Sequence, residues 1–271
     1  MSSNSNIIAL TMGDPSGVGT EIAIRAKIKK IKKPDFFIIH DIDFVKKILK
    51  KMKSKLKVRE ISSPSEVKKL PKNYLAVLPI KISKNTQLGK KNLSNVKSIL
   101  TSIDLAVKLA KNGEVAAIVT NPINKDVIGK KVKNFKGHTE YLAKKDRTND
   151  QLMMMMNKNL KTIPLTTHIA INKVSNKINK TNIIKAIINT NVSLRKDFKI
   201  KKPRIAVTAL NPHAGDGGLI GDDEKVKILP AIKYCKKKKI SVEGPLPADS
   251  AFIKNNQNKY DIFICMFHDQ A

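Results

Sequence analysis

The chain has no tryptophan and only 4% aromatic residues, so its core has to be built mainly from Ile, Leu, Val, Met and Ala. It has just two cysteines, Cys235 and Cys265. They form no CxxC pair, which argues for a reducing compartment over a disulfide framework. No apolar run approaches the ~20 residues that span a bilayer. The opening apolar stretch "IIALTM" runs straight into Gly13-Asp14-Pro15, unlike a secretory leader. A cytoplasmic protein with no membrane partner is expected. At 271 residues and 41% apolar content, the chain is long enough for one large or two modest domains.

Acidic residues are also few, 22 against 53 basic ones, for a net charge of +31. That excess suggests nucleic acid, but arginine is scarce. Only Arg25, Arg59, Arg147, Arg195 and Arg204 occur, whereas base and phosphate readers rely on the guanidinium fork. The lysines are spread through nearly every segment, as in "KKILKKMKSKLK" and "CKKKKI", with no aromatic RNA motif, zinc finger or basic zipper among them. The reading is a lysine-rich solvated surface without a specific nucleic-acid partner.

What is present is alternation. Short apolar runs at 7–12, 36–40, 75–79, 115–120, 152–156, 163–167, 204–210 and 261–267 read as buried strands. Longer amphipathic stretches at 18–30, 44–53, 93–111, 181–197 and 223–238 read as helices. Strand and helix alternating over the whole length predict an α/β fold with a largely parallel sheet. In such sheets ligands sit outside the carboxyl ends of the strands. Gly13-Asp14-Pro15, Asn121-Pro122, His168, Asn211-Pro212-His213 and His268-Asp269 all follow a predicted strand, so they are expected at one sheet edge.

"TMGDPSGVGTE" resembles a phosphate loop but lacks the second Gly and the Lys of one, and Ile22 breaks a dinucleotide fingerprint. It reads either as a Gly-rich turn whose amides face a ligand or as a tight turn that needs Gly for backbone reasons. His168, His213 and His268 are too far apart for a local zinc motif, yet each ends a predicted strand. Three imidazoles at one edge would suit a divalent ion with open positions. His40, inside "FFIIHDIDF", reads as structural. In "FKGHTEYLAKK", Thr139 caps a helix, or His138 and Thr139 bind an anionic or hydroxylated substrate at its start. Asp249, in "EGPLPADSAF", and Asp269 read as carboxylates that orient a metal-bound histidine or move a proton, or as local caps. "QLMMMMN" reads as a buried strand rather than a thioether site.

Taken together, "GDPSGVGTE", "VTNPINK", "FKGHTEYLA", "TTHIAINKV", "ALNPHAGDGG", "GPLPADSAF" and "FHDQ" resemble, in order and over essentially the whole chain, the 4-hydroxythreonine-4-phosphate dehydrogenases of vitamin B6 biosynthesis. The resemblance implies an isocitrate/isopropylmalate-dehydrogenase-like α/β/α fold with two subdomains and the site in the cleft between them. Approximate boundaries are 1–130 plus 240–271, and 131–239. It implies His168, His213 and His268 as ligands of one divalent ion (Zn, Mg or Co), and His138 and Thr139 as substrate-binding residues. It also implies NAD or NADP as oxidant and a homodimer whose site lies at the interface. The small phosphorylated substrate would be oxidised at its C3 hydroxyl and then lose CO2. The family pattern continues past the "FHDQ" motif, so the chain is expected to lack a C-terminal part that binds substrate phosphate and the cofactor. Asn121 and Leu219-Ile220 depart from the family pattern and are expected to bear on substrate preference. Alternatives are a dehydrogenase of 4-phosphothreonate or 4-phosphoerythronate, an inactive fragment, or a metal hydrolase or lyase of the same fold.

Overall fold

The computed structural model describes residues 6–29, 34–148 and 151–271; Lys30, the last residue of the first expected helix, lies outside them. The chain forms two compact units, Met1–Asn149 and Asp150–Ala271.

The first unit holds β1 (Ile8–Leu10), α1 (Gly19–Ile28), β2 (Phe36–His40), α2 (Ile42–Lys51), β3 (Lys57–Glu60), β4 (Tyr74–Pro79), α3 (Val96–Lys111), β5 (Ala117–Val119), α4 (Lys125–Gly129) and α5 (His138–Asp146). Its five strands form a parallel sheet in the order β3-β4-β2-β1-β5. β2 is buried at every residue, as a central parallel strand covered on both faces must be. Helix α2 starts where the Asp41 carboxylate accepts from the amides of Asp43 and Phe44, which satisfies two orphan donors of the first turn. Its stripe of Phe44, Val45, Ile48 and Leu49 packs against Ile38, Leu75 and Val77, while the lysines of "VKKILKK" face outward.

The second unit holds β6 (Met155–Met156), β7 (Lys161–Thr166), α6 (Val174–Lys177), α7 (Lys180–Lys196), β8 (Ile205–Thr208), α8 (Leu229–Lys237), β9 (Val242–Leu246), α9 (Lys254–Lys259) and β10 (Ile262–Phe267). The strand order is β6-β7-β10-β8-β9. All neighbours are parallel except the short antiparallel edge pair β6–β7. A π-helical turn at Glu224–Ile228 leads into α8. Ile183, Ile187, Ile228 and Ile232 cover one face of β10 and β8; Tyr260 and Ala251 lie with Phe263 on the other.

Three expectations are corrected. Residues 240–271 join the second unit and 131–148 the first. β9 and β10 pair with β8 and β7, and α5 is tied to α3 by Tyr141 and Lys145 on Asp104. The methionine run is an edge rather than a buried strand, with Met156 58% exposed. The polar strand ends lie on two sheets, not one.

Candidate active site

β7, β10, β8 and β9 are adjacent and parallel in that order, so their carboxyl ends form one continuous edge. Each strand delivers at least one sequence candidate just beyond it. His168 follows β7, His268 and Asp269 follow β10, His213 follows β8 and Asp249 follows β9. Parallel strands leave their last carbonyls and the following loops at the same edge, which is why ligand sites form there.

Two of the three histidines are together. The His168 and His268 rings are 6.2 Å apart between centroids. His268 Nδ1 lies 3.0 Å from Asp269 Oδ1, which fixes the ring and leaves Nε2 free to bind. A small pocket of about 120 Å³ is lined by Thr167, His168, Ile171, Phe267, His268 and Asp269 among others. With metal–imidazole distances of about 2.0–2.1 Å, two rings so spaced lie within reach of one ion, and a carboxylate-backed imidazole is the usual orientation device of such a ligand. The donor chemistry fits a divalent ion. Among the described residues, however, no group of three or more His, Cys, Asp or Glu side chains is gathered in metal-holding geometry.

His213 lies on a loop that turns left-handed. Residues 213–217 all have positive φ, from 43° to 79°, and His168 has φ 50°. A non-glycine residue there costs about 1–2 kcal/mol, and such strain persists where surrounding contacts over-determine the backbone. Here the contacts come from Glu224, a buried carboxylate that sequence reading left unassigned. Its Oε1 accepts from the amides of Leu210 and Asn211 at 2.8 Å each, and its Oε2 from Asn211 Nδ2 at 3.0 Å. Gly215 sits so close that a Cβ would meet Glu224 Oε2 at 2.8 Å. Asp223 joins Lys227, Ser175 and Asn211, linking the loop after β8 to α6. The acidic run "GDDE" was the only sequence signal for this frame. Asp249 is exposed, with Ser250 Oγ donating to it at 3.3 Å.

His138 and Thr139 lie in the first unit, at the start of α5. Gly137 is the N-cap and makes no side-chain cap, so Thr139 falls inside the helix rather than capping it. His138 Nε2 is shielded from solvent and has no hydrogen-bond partner. Burial and then the nearby Lys125 ammonium lower the His138 pKa.

The backbone reading of the Gly-rich turn is supported by its contacts. A Cβ on Gly13 would meet Asn121 Cβ at 2.6 Å and Pro122 O at 2.7 Å, and one on Gly19 would meet Asn121 Cβ at 3.1 Å. These glycines admit Asn121, whose Nδ2 donates to Thr11 O at 3.0 Å. His40 is structural, as expected. Its Nδ1 accepts from Asp41 N at 2.7 Å, so its Nε2 carries the proton toward Thr20 Oγ1 at 3.0 Å. Burial takes its pKa down to about 4. A larger groove of about 450 Å³ beside α2 is lined by Phe44, Ile48, Leu88 and three lysines. It contains none of the candidate groups, so the smaller histidine-lined pocket is the better site on chemical grounds. No described helix is long and apolar enough to cross a membrane.

Residues 32–271 match the family model described as "Pyridoxal phosphate biosynthetic protein PdxA". The chain is 34% identical to a 4-hydroxythreonine-4-phosphate dehydrogenase of Caulobacter vibrioides, covering 97% of this chain and 80% of that protein. It is 32% identical to one of Pseudoalteromonas translucida over the same shares. The crystal structure of a 4-hydroxythreonine-4-phosphate dehydrogenase from Klebsiella pneumoniae matches with a TM-score of 0.91 and 32% identity, over 98% of this chain and 82% of that one.

Proposed function

The chain belongs to the PdxA family of pyridoxal phosphate biosynthetic proteins, and on that premise we propose that it oxidises 4-phosphohydroxy-L-threonine at the C3 hydroxyl. The β-keto acid so formed loses CO2 to leave 3-amino-2-oxopropyl phosphate. The observation that carries this reading is the edge where four neighbouring parallel strands each deliver a histidine or carboxylate, with His168 and His268 already paired. Bound NAD or NADP would supply the hydride acceptor, and a divalent ion (Zn, Mg or Co) would supply positive charge at the substrate oxygen.

His168, His268 and His213 would hold the ion. Asp269 keeps the proton on His268 Nδ1 and so turns the Nε2 lone pair outward. Asp249, an exposed carboxylate beyond β9, would take the proton from the C3 hydroxyl. His138, kept neutral by its surroundings, hydrogen-bonds the substrate together with Thr139. The amide end of α5 favours an anionic group there. The site residues on the second unit are exposed in the single chain, which agrees with a homodimer whose site draws on both subunits.

The test supplies NAD and 4-phosphohydroxythreonine with Mg2+, Zn2+ or Co2+ in turn and follows the reduced-nicotinamide absorbance. Reduction that needs the substrate and stops on chelation is expected. No substrate-dependent reduction with any of the three ions, and with NADP in place of NAD, would remove the reading.

A further inference from the structure

The turn that carries His268 and Asp269 is a single 3-10 turn, His268–Gln270, with both side chains exposed. So short a turn does not hold its own direction. What holds it is the side chain of Gln270, which folds back under the turn onto two strand ends. Its Oε1 accepts from Met266 N at 2.9 Å and from Thr208 Oγ1 at 3.1 Å, and its Nε2 donates to Ala209 O at 2.9 Å. Met266 lies in β10, and Thr208 and Ala209 form the end of β8. Thr208 also hydrogen-bonds the buried Cys265, whose thiol burial pushes up to about 12. That thiol therefore stays neutral, and no charge competes for the amide.

We propose that Gln270 is the positioning residue of the site: its amide locks the His268–Asp269 turn to the end of β8 and so sets His268 relative to the loop that carries His213. An amide is required because this position must accept twice and donate once. A carboxylate of the same shape would accept but would face the Ala209 carbonyl without a proton, leaving two acceptors opposed. Leu210 and Asn211, the next residues of that strand end, are held by Glu224. The β8 end is thus gripped from both sides, and Gln270 is the grip on the His268 side. The consequence for metal binding rests on the proposed role of His268 as a ligand.

The test compares the wild-type chain with Gln270→Glu and with the milder Thr208→Val, which removes one of the two donors to Oε1. Two readouts are taken: Co2+ affinity from titration of its visible absorption, and the 15N signals of the His268 ring, assigned with His268→Ala. Gln270→Glu is expected to shift the His268 ring signals and to weaken Co2+ binding by roughly 10–100-fold, as loss of a group that orients a ligand does. Thr208→Val should move both in the same direction by less. If Gln270→Glu does not fold, Thr208→Val alone decides. Unchanged ring signals in the folded variant overturn the proposal. Should the wild-type chain bind no Co2+, the metal reading fails, and the ring signals still decide the role of Gln270.

Discussion

The two units carry the same device, a parallel sheet whose carboxyl edge gathers polar residues, and they use it in opposite ways. In the first unit the edge of β1, β2 and β5 is largely closed by the protein's own groups, the buried Ser16 Oγ being left without a partner. Asn121 fills the space left by Gly13 and Gly19, Asp14 accepts from Ser16 N, and His40 is shared between Thr20 and Asp41. In the second unit the edge of β7, β10, β8 and β9 leaves His168, His213, His268, Asp249 and Asp269 exposed. Apart from the His268–Asp269 and Ser250–Asp249 hydrogen bonds, the bonding there lies behind these side chains, through Gln270 and Glu224. Topology makes an edge available; whether its polar groups are satisfied by the protein decides if it can act on anything else.

The largest effect should come from the open edge. Replacing His268 with Ala removes a proposed ligand from an exposed position, so turnover should fall by more than the roughly 10–100-fold that loss of a group orienting such a ligand costs, while the thermal midpoint stays within about 1–2 °C of wild type. A variant that melts early would mean that His268 holds the fold, and the contrast between the two edges would fail. Next in size is the closed edge. Gly13 has φ 72°, and a Cβ there would be 2.6 Å from Asn121 Cβ and 2.7 Å from Pro122 O. Gly13→Ala should cost about 3 kcal/mol, as backbone strain and a backbone clash combine, read as a lower urea midpoint of the first unit. An unchanged midpoint would mean that the turn is looser than its contacts imply.

The contrast also explains what was legible in sequence. All eight expected strands fall on observed ones; six of them, β1, β2, β4, β7, β8 and β10, are interior strands, and interior parallel strands are apolar on both faces and read as continuous runs. The two missed strands are edges. β3, "KVRE", is mostly charged, and β9, "VEGPL", has Gly and Pro in its middle, which belong to turns except at a sheet edge. Gly244 has to lack a side chain because a Cβ would lie 2.3 Å from Val207 O. The histidines were legible because each follows a strand. Their neighbourhood was not, because strand order is set by pairing between segments far apart in the chain. The Gly-rich turn stayed ambiguous for the same reason: its partner, Asn121, is 110 residues from Thr11 at the head of the turn. The subdomain boundary failed through strand order too, since β10 is central in the second sheet.

The smallest effect lies in how the closed edge responds to acid. His40 is fully buried and stacked on Phe44 at 5.5 Å. Its Nδ1 is committed as an acceptor to Asp41 N, so protonation of that nitrogen would turn an acceptor toward a donor. Burial takes its pKa from 6.5 to about 4. Between these values the unfolded chain binds a proton at His40 that the folded chain does not. Stability from this group is therefore complete above about pH 6.5, falls as the pH drops toward 4, and levels off below. From pH 7 to pH 5 the loss is about 2 kcal/mol for one such group. His40→Gln has no ring to titrate. Although it is less stable at pH 7, it should lose less stability over this interval, by about that amount, in urea titrations of the two proteins at both pH values. Equal slopes would show that His40 takes up a proton in the folded state. The first unit's edge would then be less closed than its hydrogen bonds indicate, and the distinction between the two edges would be one of degree.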